Sequence, residues 1–505
     1  MRVETGTINR AVYRIAALYD GAEPDPLRPS RSWNERLVYP FGGGCNVGYH
    51  QGNSIPASAN DPAIAEGYAV ASSTLNVLNQ NCSTVISAET AMMVKEHVIE
   101  TYGAVAHTIG QGGSGGAIQQ YAIADNYPGI LDGIIPFDSF PDSVTLATVG
   151  DCRLVDSYFS NTEVGYTASQ RETITGYGNY GTCGSWGRGF GTRFVAAEAC
   201  PSAIPPEERY SDTNPDGIKC TTAEQVVNQL GRDPETGFAR SFYDNVGVQF
   251  GLEALTAGTI TPEQFVDLNE NVGGFDVAGN FAPARSTADP LAVQRSYTSG
   301  LALNGGGGLA TTPVIDVRRY NDPDPNIHTS FWSLAVRERL VEANGDADNQ
   351  ILFNGGRSGS AVGAANRLAF DQMEQWLTAI GNDDSSAEPR EKVLDNRPAD
   401  LADSCWTANG DQITEPATYP SSGQCGELYP AFGDTRLGAG APVENDVLQC
   451  QLKPIDFASY GVEFSDDQRV RLTAVFTSGV CDYHQPGAFQ QAPAGVWQSY
   501  DVAPG

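Results

Sequence analysis

Lysine is nearly missing from this chain: its 505 residues include four, at 95, 219, 392 and 453, and 30 basic side chains stand against 61 acidic ones. The resulting formal charge of −31 excludes a nucleic-acid partner, whose phosphates such a surface repels, and an anionic membrane surface. No stretch approaches the roughly 18 consecutive apolar residues that span a bilayer. None of the ten cysteines forms a Cys-x-x-Cys pair, which argues against a structural zinc cluster. Histidine is scarce as well, with five in all. Apolar material is plentiful: 40% of the residues are hydrophobic, which excludes wholesale disorder. The length fits about three compact units or one large enzyme.

The cysteines, at 45, 82, 152, 183, 200, 220, 405, 425, 450 and 481, are even in number. In a lysine-poor, acidic chain they point to disulfides formed in an oxidising compartment. A secreted protein is therefore expected, with its signal peptide removed, because the sequence opens on polar MRVETGTINR and runs straight into an apolar strand-like segment.

Strand and helix signals alternate over residues 1–145. Arg36–Phe41 reads as a strand running into Gly42-Gly43-Gly44-Cys45, and Gly67–Ser73 as a second buried strand. A helix is predicted over Ala88–Tyr102, with Met92, Val94, Val98 and Ile99 buried. Ala104–Ile109 is a strand leading into a glycine-rich turn, followed by a helix (AIQQYAIADN) and the strand ILDGIIPF. Strand–helix–strand spacing of this kind means a parallel sheet with crossover helices, an α/β architecture. The alternation dissolves over 146–308, an expected insertion containing four cysteines and the aromatic, glycine-rich run 177–194. It resumes over 309–381 with the strand TTPVIDVRRY, a helix over Thr329–Ala343, a last strand over Asn349–Asn354 and a closing helix over Asn366–Ile380. Residues 382–505, rich in Pro, Asp and Cys, read as a wrapping segment stapled by disulfides.

The sharpest local signal is Gly112-Gly113-Ser114-Gly115-Gly116, a G-x-S-x-G between a strand and a helix. A tight turn there needs neighbours without Cβ. It lifts the Ser114 hydroxyl above the sheet, while the following helix turns its N–H groups and dipole toward any oxyanion. Gly110, Gly112 and Gly115 also spell G-x-G-x-x-G, but the next strand carries Asp132 at its start and Asp138 just past its end. It has no acidic residue at the place a dinucleotide ribose requires. Gly356-Arg357-Ser358-Gly359-Ser360 has no glycine two residues after Ser358 and reads as a loop. The run Gly42–Gly44 sits where backbone donors for an oxyanion are needed, so Gly43 or Gly44, with Gly115, are the expected donors. Cys45 and His50 follow and are candidates for lining the substrate site.

A serine nucleophile needs a base. His97 falls mid-helix beside Lys95 and Glu96, a solvated position, and His107 falls inside the strand feeding the turn. In the order Ser…acid…His the base lies beyond the insertion, leaving His328 and His484. The acid is expected in the loop after the resumed strand, at Asp322, with Asp324 as the near alternative. The DPDPN run lacks the sixth-position glycine and twelfth-position glutamate of a calcium loop, so calcium is not expected. The place just after the last predicted strand reads NGGRSG and holds no histidine.

Taken together, FGGGC, GYAVASS, the KEHVIE helix, GQGGSGG and NYPGILDGIIPFDSFPD resemble the α/β-hydrolase superfamily. More narrowly they resemble a secreted bacterial family of unknown function, with a looser likeness to tannases and feruloyl esterases. The cysteine those enzymes carry beside the nucleophile is replaced by Gly113 and Gly115. In the family the counterpart of Asn326-Ile327-His328 commonly reads Asp-Ile-His, and this favours His328 over His484 as the base. The resemblance implies an α/β-hydrolase whose insertion acts as a lid, and a serine mechanism on carboxylic esters, small or polymeric, that needs no cofactor or metal. The alternatives are a non-catalytic binding protein on the same fold and a peptidase or amidase using the same triad.

Overall fold

The computed structural model describes residues 1–46, 52, 54–56 and 61–497. Strands form where β-branched and aromatic residues cluster between turn residues, and ten of them build one sheet. They are β1 (Arg2–Ile8), β2 (Ala11–Ala17), β3 (Arg36–Pro40), β4 (Ala69–Ser73), β5 (His107–Gly113), β6 (Gly133–Phe137), β7 (Val314–Arg318), β8 (Gln350–Asn354), β9 (Ser404–Trp406) and β10 (Gln412–Thr414). Asn9 and Arg10 close the β1–β2 hairpin with φ of 52° and 61°, the positive values that match strand twist in a two-residue turn. The spatial order is β1-β2-β4-β3-β5-β6-β7-β8-β9-β10. Every neighbouring pair from β4 to β9 is parallel, and the two antiparallel margins are β1-β2-β4 and β9-β10. This is the expected α/β-hydrolase sheet.

Six helices position the site: α1 (Thr84–Tyr102), α2 (Gly115–Asn126), α3 (Thr148–Asn161), α4 (Tyr180–Gly189), α5 (Phe331–Asn344) and α6 (Gly359–Gly381). Period-2 alternation sends Leu37 and Tyr39 to one face of the sheet and Val38 to the other. The first face packs on α1 through Val94 and Val98, on α2 through Tyr121 and on α5 through Val336 and Leu340. The second packs on α6 through Ala369, Met373 and Trp376. In α1, Met92 is only partly buried and Ile99 is exposed, because the buried stripe runs through Ala91, Val94 and Val98.

The chain leaves the sheet after β6 and returns at β7. Between them lies a mostly helical insertion with its own core, including Leu154, Phe250, Phe265 and Leu268, onto which Phe464, Leu472 and Phe476 of the C-terminal segment also pack. Three features differ from the sequence expectation. The sheet does not end at β8, because the C-terminal segment adds β9 and β10, each only three residues long. The 177–194 run is a helix, α4, although four of its ten residues are glycine. Those glycines let it lie close against α3, where a Cβ on Gly187 would sit 3.0 Å from the Arg153 nitrogen, and Cys152–Cys183 ties the two helices together. The C-terminal segment carries a regular helix over Asp466–Val475.

All ten cysteines are paired consecutively along the chain: 45–82, 152–183, 200–220, 405–425 and 450–481. Five disulfides fit folding in an oxidising compartment. Among the described residues no helix is long and apolar enough to cross a membrane.

One buried ion pair locks the C-terminal segment to the insertion. Arg436 Nε donates to Asp151 Oδ2 at 2.6 Å and Nη2 donates to Oδ1 at 2.9 Å, while Tyr243 and Thr435 donate their hydroxyls to the same carboxylate. Removing one partner of such a pair strands a charge in low dielectric. Arg436→Met is expected to lower stability by about 3–5 kcal/mol in denaturant unfolding, and adding Asp151→Leu should recover part of the loss.

Candidate active site

Ser114 occupies the turn between β5 and α2 with φ 59° and ψ −123°, a region that Cβ-bearing residues rarely enter and that costs on the order of 1–3 kcal/mol. The surroundings enforce it. A Cβ on Gly115 would collide with the Gly44 carbonyl oxygen, and one on Gly112, whose φ is 147°, with the Phe41 carbonyl oxygen. The Ser114 N–H donates to the Phe137 carbonyl at 2.9 Å, and its own carbonyl accepts from Ala117 and Ile118 to begin α2. Its hydroxyl makes no capping bond to the helix it precedes. The G-x-S-x-G spacing is thus a steric requirement of the turn, and it leaves Oγ uncommitted above the sheet.

Gly42–Gly44 follows β3 and lies against this turn. A Cβ on Gly43 would stand 3.3 Å from Ser114 Cβ and 3.7 Å from the Gly115 nitrogen. The loop is held by Gly42 N–H donating to Asn76 O, by Leu78 and Asn79 N–H donating to Gly42 and Gly43 O, and by Cys45–Cys82. The N–H groups of Gly43, Gly44 and Gly115 make no backbone hydrogen bond among the described residues. Unpaired donors beside a hydroxyl that faces a cleft are what a developing oxyanion needs. His50 lies outside the described residues.

Ser114, Gly44, Cys45 and Gly115 open into a cleft. Its walls are aromatic: Phe140 from the end of β6, Trp186 of α4, Phe190 and Phe194 just after it, and Phe242 and Tyr243 from deeper in the insertion. The 177–194 run thus contributes Trp186, Phe190 and Phe194 to the cleft wall, the first from a helix tied to α3.

The other histidines sit elsewhere. His97 is not solvated as its neighbours suggest; its Nε2 lies 2.6 Å from Glu4 Oε1 and 3.1 Å from the Tyr13 hydroxyl. His107 starts β5, at the end away from Ser114, and pairs with Glu374 at 2.9 Å. His484 is exposed beyond Cys481 in the C-terminal segment and is absent from the cleft lining. The His328 ring lies tilted by 44° against Phe140 with ring centroids 5.3 Å apart, and its neighbour Ile327 lines the Ser114 cleft. Phe140 thus touches both the Ser114 cleft and the imidazole. No hydrogen bond joins Ser114 Oγ to the His328 ring in this structure; such bonds are commonly loose before substrate binds.

The tautomer of His328 follows from its partners. Asn326 Oδ1 accepts the His328 backbone N–H at 3.0 Å and lies 2.8 Å from Nδ1. An oxygen already accepting one N–H requires the proton on Nδ1, so the lone pair is on Nε2, the form a general base needs. Burial, with Arg318 and Arg319 adding to it, pushes the imidazole down to about 4, so the ring is neutral at neutral pH.

Asp322, expected to partner this ring, makes no hydrogen bond to it among the described residues. Its Oδ2 accepts the N–H and the hydroxyl of Ser330, each at 2.9 Å, which fixes the start of α5. It is fully buried, and burial raises its carboxyl despite these donors. Asp324 pairs instead with Arg357 at 2.9 Å, and the Ser358 hydroxyl bonds to that of Ser360. Sequence reasoning passed over Asn326, whose role depends on a local turn that brings an amide oxygen two residues back onto the ring. It also passed over the grip on this loop: Asn179, Thr182 and Ser185, three residues apart along α4, donate side-chain hydrogens to the carbonyls of Pro323, Asp324 and Pro325 at 2.9, 3.0 and 2.9 Å. Asp138, with φ 45° beside the Ser114 turn, has its carboxyl pushed up to about 6 by burial, partly offset by Arg318.

An unfolded histidine takes a proton near pH 6.5, and folded His328 only near 4. The unfolded state therefore binds more protons between these values, and stability should fall as pH drops through that window. Histidine NMR should show the His328 ring unprotonated down to about pH 4; a midpoint near 6.5 contradicts the assignment of a buried neutral ring.

Several solved structures are similar in parts. They include feruloyl esterase B from Aspergillus oryzae, with 15% identity over 74% of this chain and 78% of that one and a TM-score of 0.38. Another is tannin acyl hydrolase from Aspergillus niger, with 13% identity over 80% and 83% and a TM-score of 0.33. No curated protein matches the sequence. The match to a family is far broader: residues 1–492 fit the tannase-like family of unknown function, DUF6351, and the chain belongs to that family.

Proposed function

We propose that this protein is a secreted serine hydrolase of carboxylic esters. The observation that carries the proposal is the Ser114 hydroxyl, strained into the turn and free of a capping bond, beside unpaired glycine N–H groups. The tautomer of His328 and the tannase-like character of the family support the same reading. The aromatic walls of the cleft suit an extended or aromatic ester, including a polyester chain.

In this mechanism Ser114 Oγ attacks the ester carbonyl while His328 Nε2 takes its proton. The negative charge on the tetrahedral oxygen is met by N–H groups of Gly115 and of Gly43 or Gly44. Collapse expels the alcohol, which receives the proton from His328, and water then attacks the acyl-enzyme with His328 again as base. Asn326 holds Nδ1–H through an amide oxygen, so the imidazolium that forms is steadied by a dipole rather than by a full negative charge. Asp322 acts one step removed, by fixing the start of α5 just beyond the histidine loop.

Ser114→Ala is expected to lower p-nitrophenyl ester turnover by at least about 10³-fold, and His328→Ala to come close to this. Near-normal turnover in Ser114→Ala would sink the proposal, and near-normal turnover in His328→Ala would move the base to His484 or His50. Asn326→Asp should raise kcat several-fold and shift the acidic limb of the pH–rate profile upward, since a carboxylate stabilises the charged ring. A fall in kcat with an unmoved limb contradicts the role given to Asn326.

A further inference from the structure

The Ser114 cleft is walled by aromatic, aliphatic and small polar groups with one exception. Arg193 is the only charged side chain among the described residues that line it. No carboxylate pairs with this guanidinium and no hydrogen bond from it is present among the described residues; its Nε is shut away from solvent without a partner. Its one specific contact is with the face of Phe190, 4.0 Å from the ring centroid. Burial pulls the group down to about 9, which still leaves it cationic at neutral pH. Arg193 also borders a neighbouring cavity with Asp233, Asp276 and Asp289, but these carboxylates are already engaged. Asp289 binds Arg240 and the N–H groups of Leu291 and Ala292, Asp276 those of Ala278 and Asn280, and Asp233 the Glu235 N–H and Thr236 hydroxyl.

In a protein of net charge −31, counter-ions for an arginine are abundant, and this one is left without. Arg193 is half-buried, with its Nε cut off from water and unpartnered, and a planar oxyanion bound in two-pronged fashion by the terminal nitrogens offsets the cost of that partial desolvation. Phe190 holds the planar group by its face, leaving its edge donors for a ligand. We propose that Arg193 binds a carboxylate on the substrate, so that the preferred substrates are half-esters, carboxylic esters that carry a free carboxylate elsewhere in the molecule. This deepens the reading of the cleft as an ester-hydrolase site and rests on it.

The test compares mono-4-nitrophenyl adipate and suberate with their methyl-capped neutral counterparts on the full-length protein. The half-esters should have kcat/KM higher by about 10- to 100-fold, carried mainly by KM and weakened by salt, the range of a charge-assisted hydrogen-bonded pair. Arg193→Gln should bring the ratio between charged and neutral substrate close to one, and Arg193→Lys should keep part of it. A wild-type ratio of one or less, or a ratio unchanged in Arg193→Gln, overturns the proposal. Calorimetric binding of free suberate needs no turnover. Binding that weakens at least about tenfold in Arg193→Gln supports Arg193 as the carboxylate site even if neither ester is cleaved, an outcome that would defeat the ester-hydrolase reading alone. Absence of suberate binding in the wild type, with neither ester cleaved, overturns the carboxylate site as well.

Discussion

Backbone packing around residue 114 is the constraint on which the rest depends. The Phe41 and Gly44 carbonyls press on the turn from the β3 side and the Phe137 carbonyl holds the Ser114 N–H from β6. Strands on both sides of β5 therefore fix one strained residue. The strain is small beside the core that surrounds it, and it places a hydroxyl where no helix cap can use it. The same closeness brings the glycine loop after β3 within reach of Ser114, so the proposed nucleophile and oxyanion donors arise from one packing event.

The proposed base comes from a different source. No histidine follows directly on β8, and His328 stands on the loop after β7. That loop is gripped by α4, and α4 is tied to α3 by a disulfide. The insertion thus positions the imidazole while its aromatic residues wall the cleft. Phe140, Trp186, Ile327 and Trp332 belong to one apolar cluster, and cleft, base and insertion are mechanically a single unit. The Asp151–Arg436 pair extends this unit to the C-terminal segment, whose far end is closed by Cys450–Cys481.

Much of this was legible in the sequence. Strands β3 to β8 and the turn at Ser114 follow from apolar runs and glycine spacing, because period and turn chemistry are local properties. What escaped depends on tertiary context. Strands β9 and β10 are too short to show a period. Helix α4 contains glycines at 181, 184, 187 and 189, each costing about 1 kcal/mol in an isolated helix, and is held by a disulfide and by close contact with α3. Asn326 in place of Asp322 as the partner of the ring was hidden because the choice rests on which way a five-residue loop turns. Arg193 looked like one arginine among many until its lack of a counter-ion became visible in three dimensions.

Chemical reactivity at residue 114 tests the central claim most directly. Labelling the folded protein with a fluorophosphonate and mapping the adduct by peptide mass spectrometry reads whether that hydroxyl is activated. The account predicts a single rapid adduct at Ser114, lost when the protein is unfolded before labelling. A folded protein whose Ser114 stays unlabelled, or reacts no faster than its other serines, contradicts it.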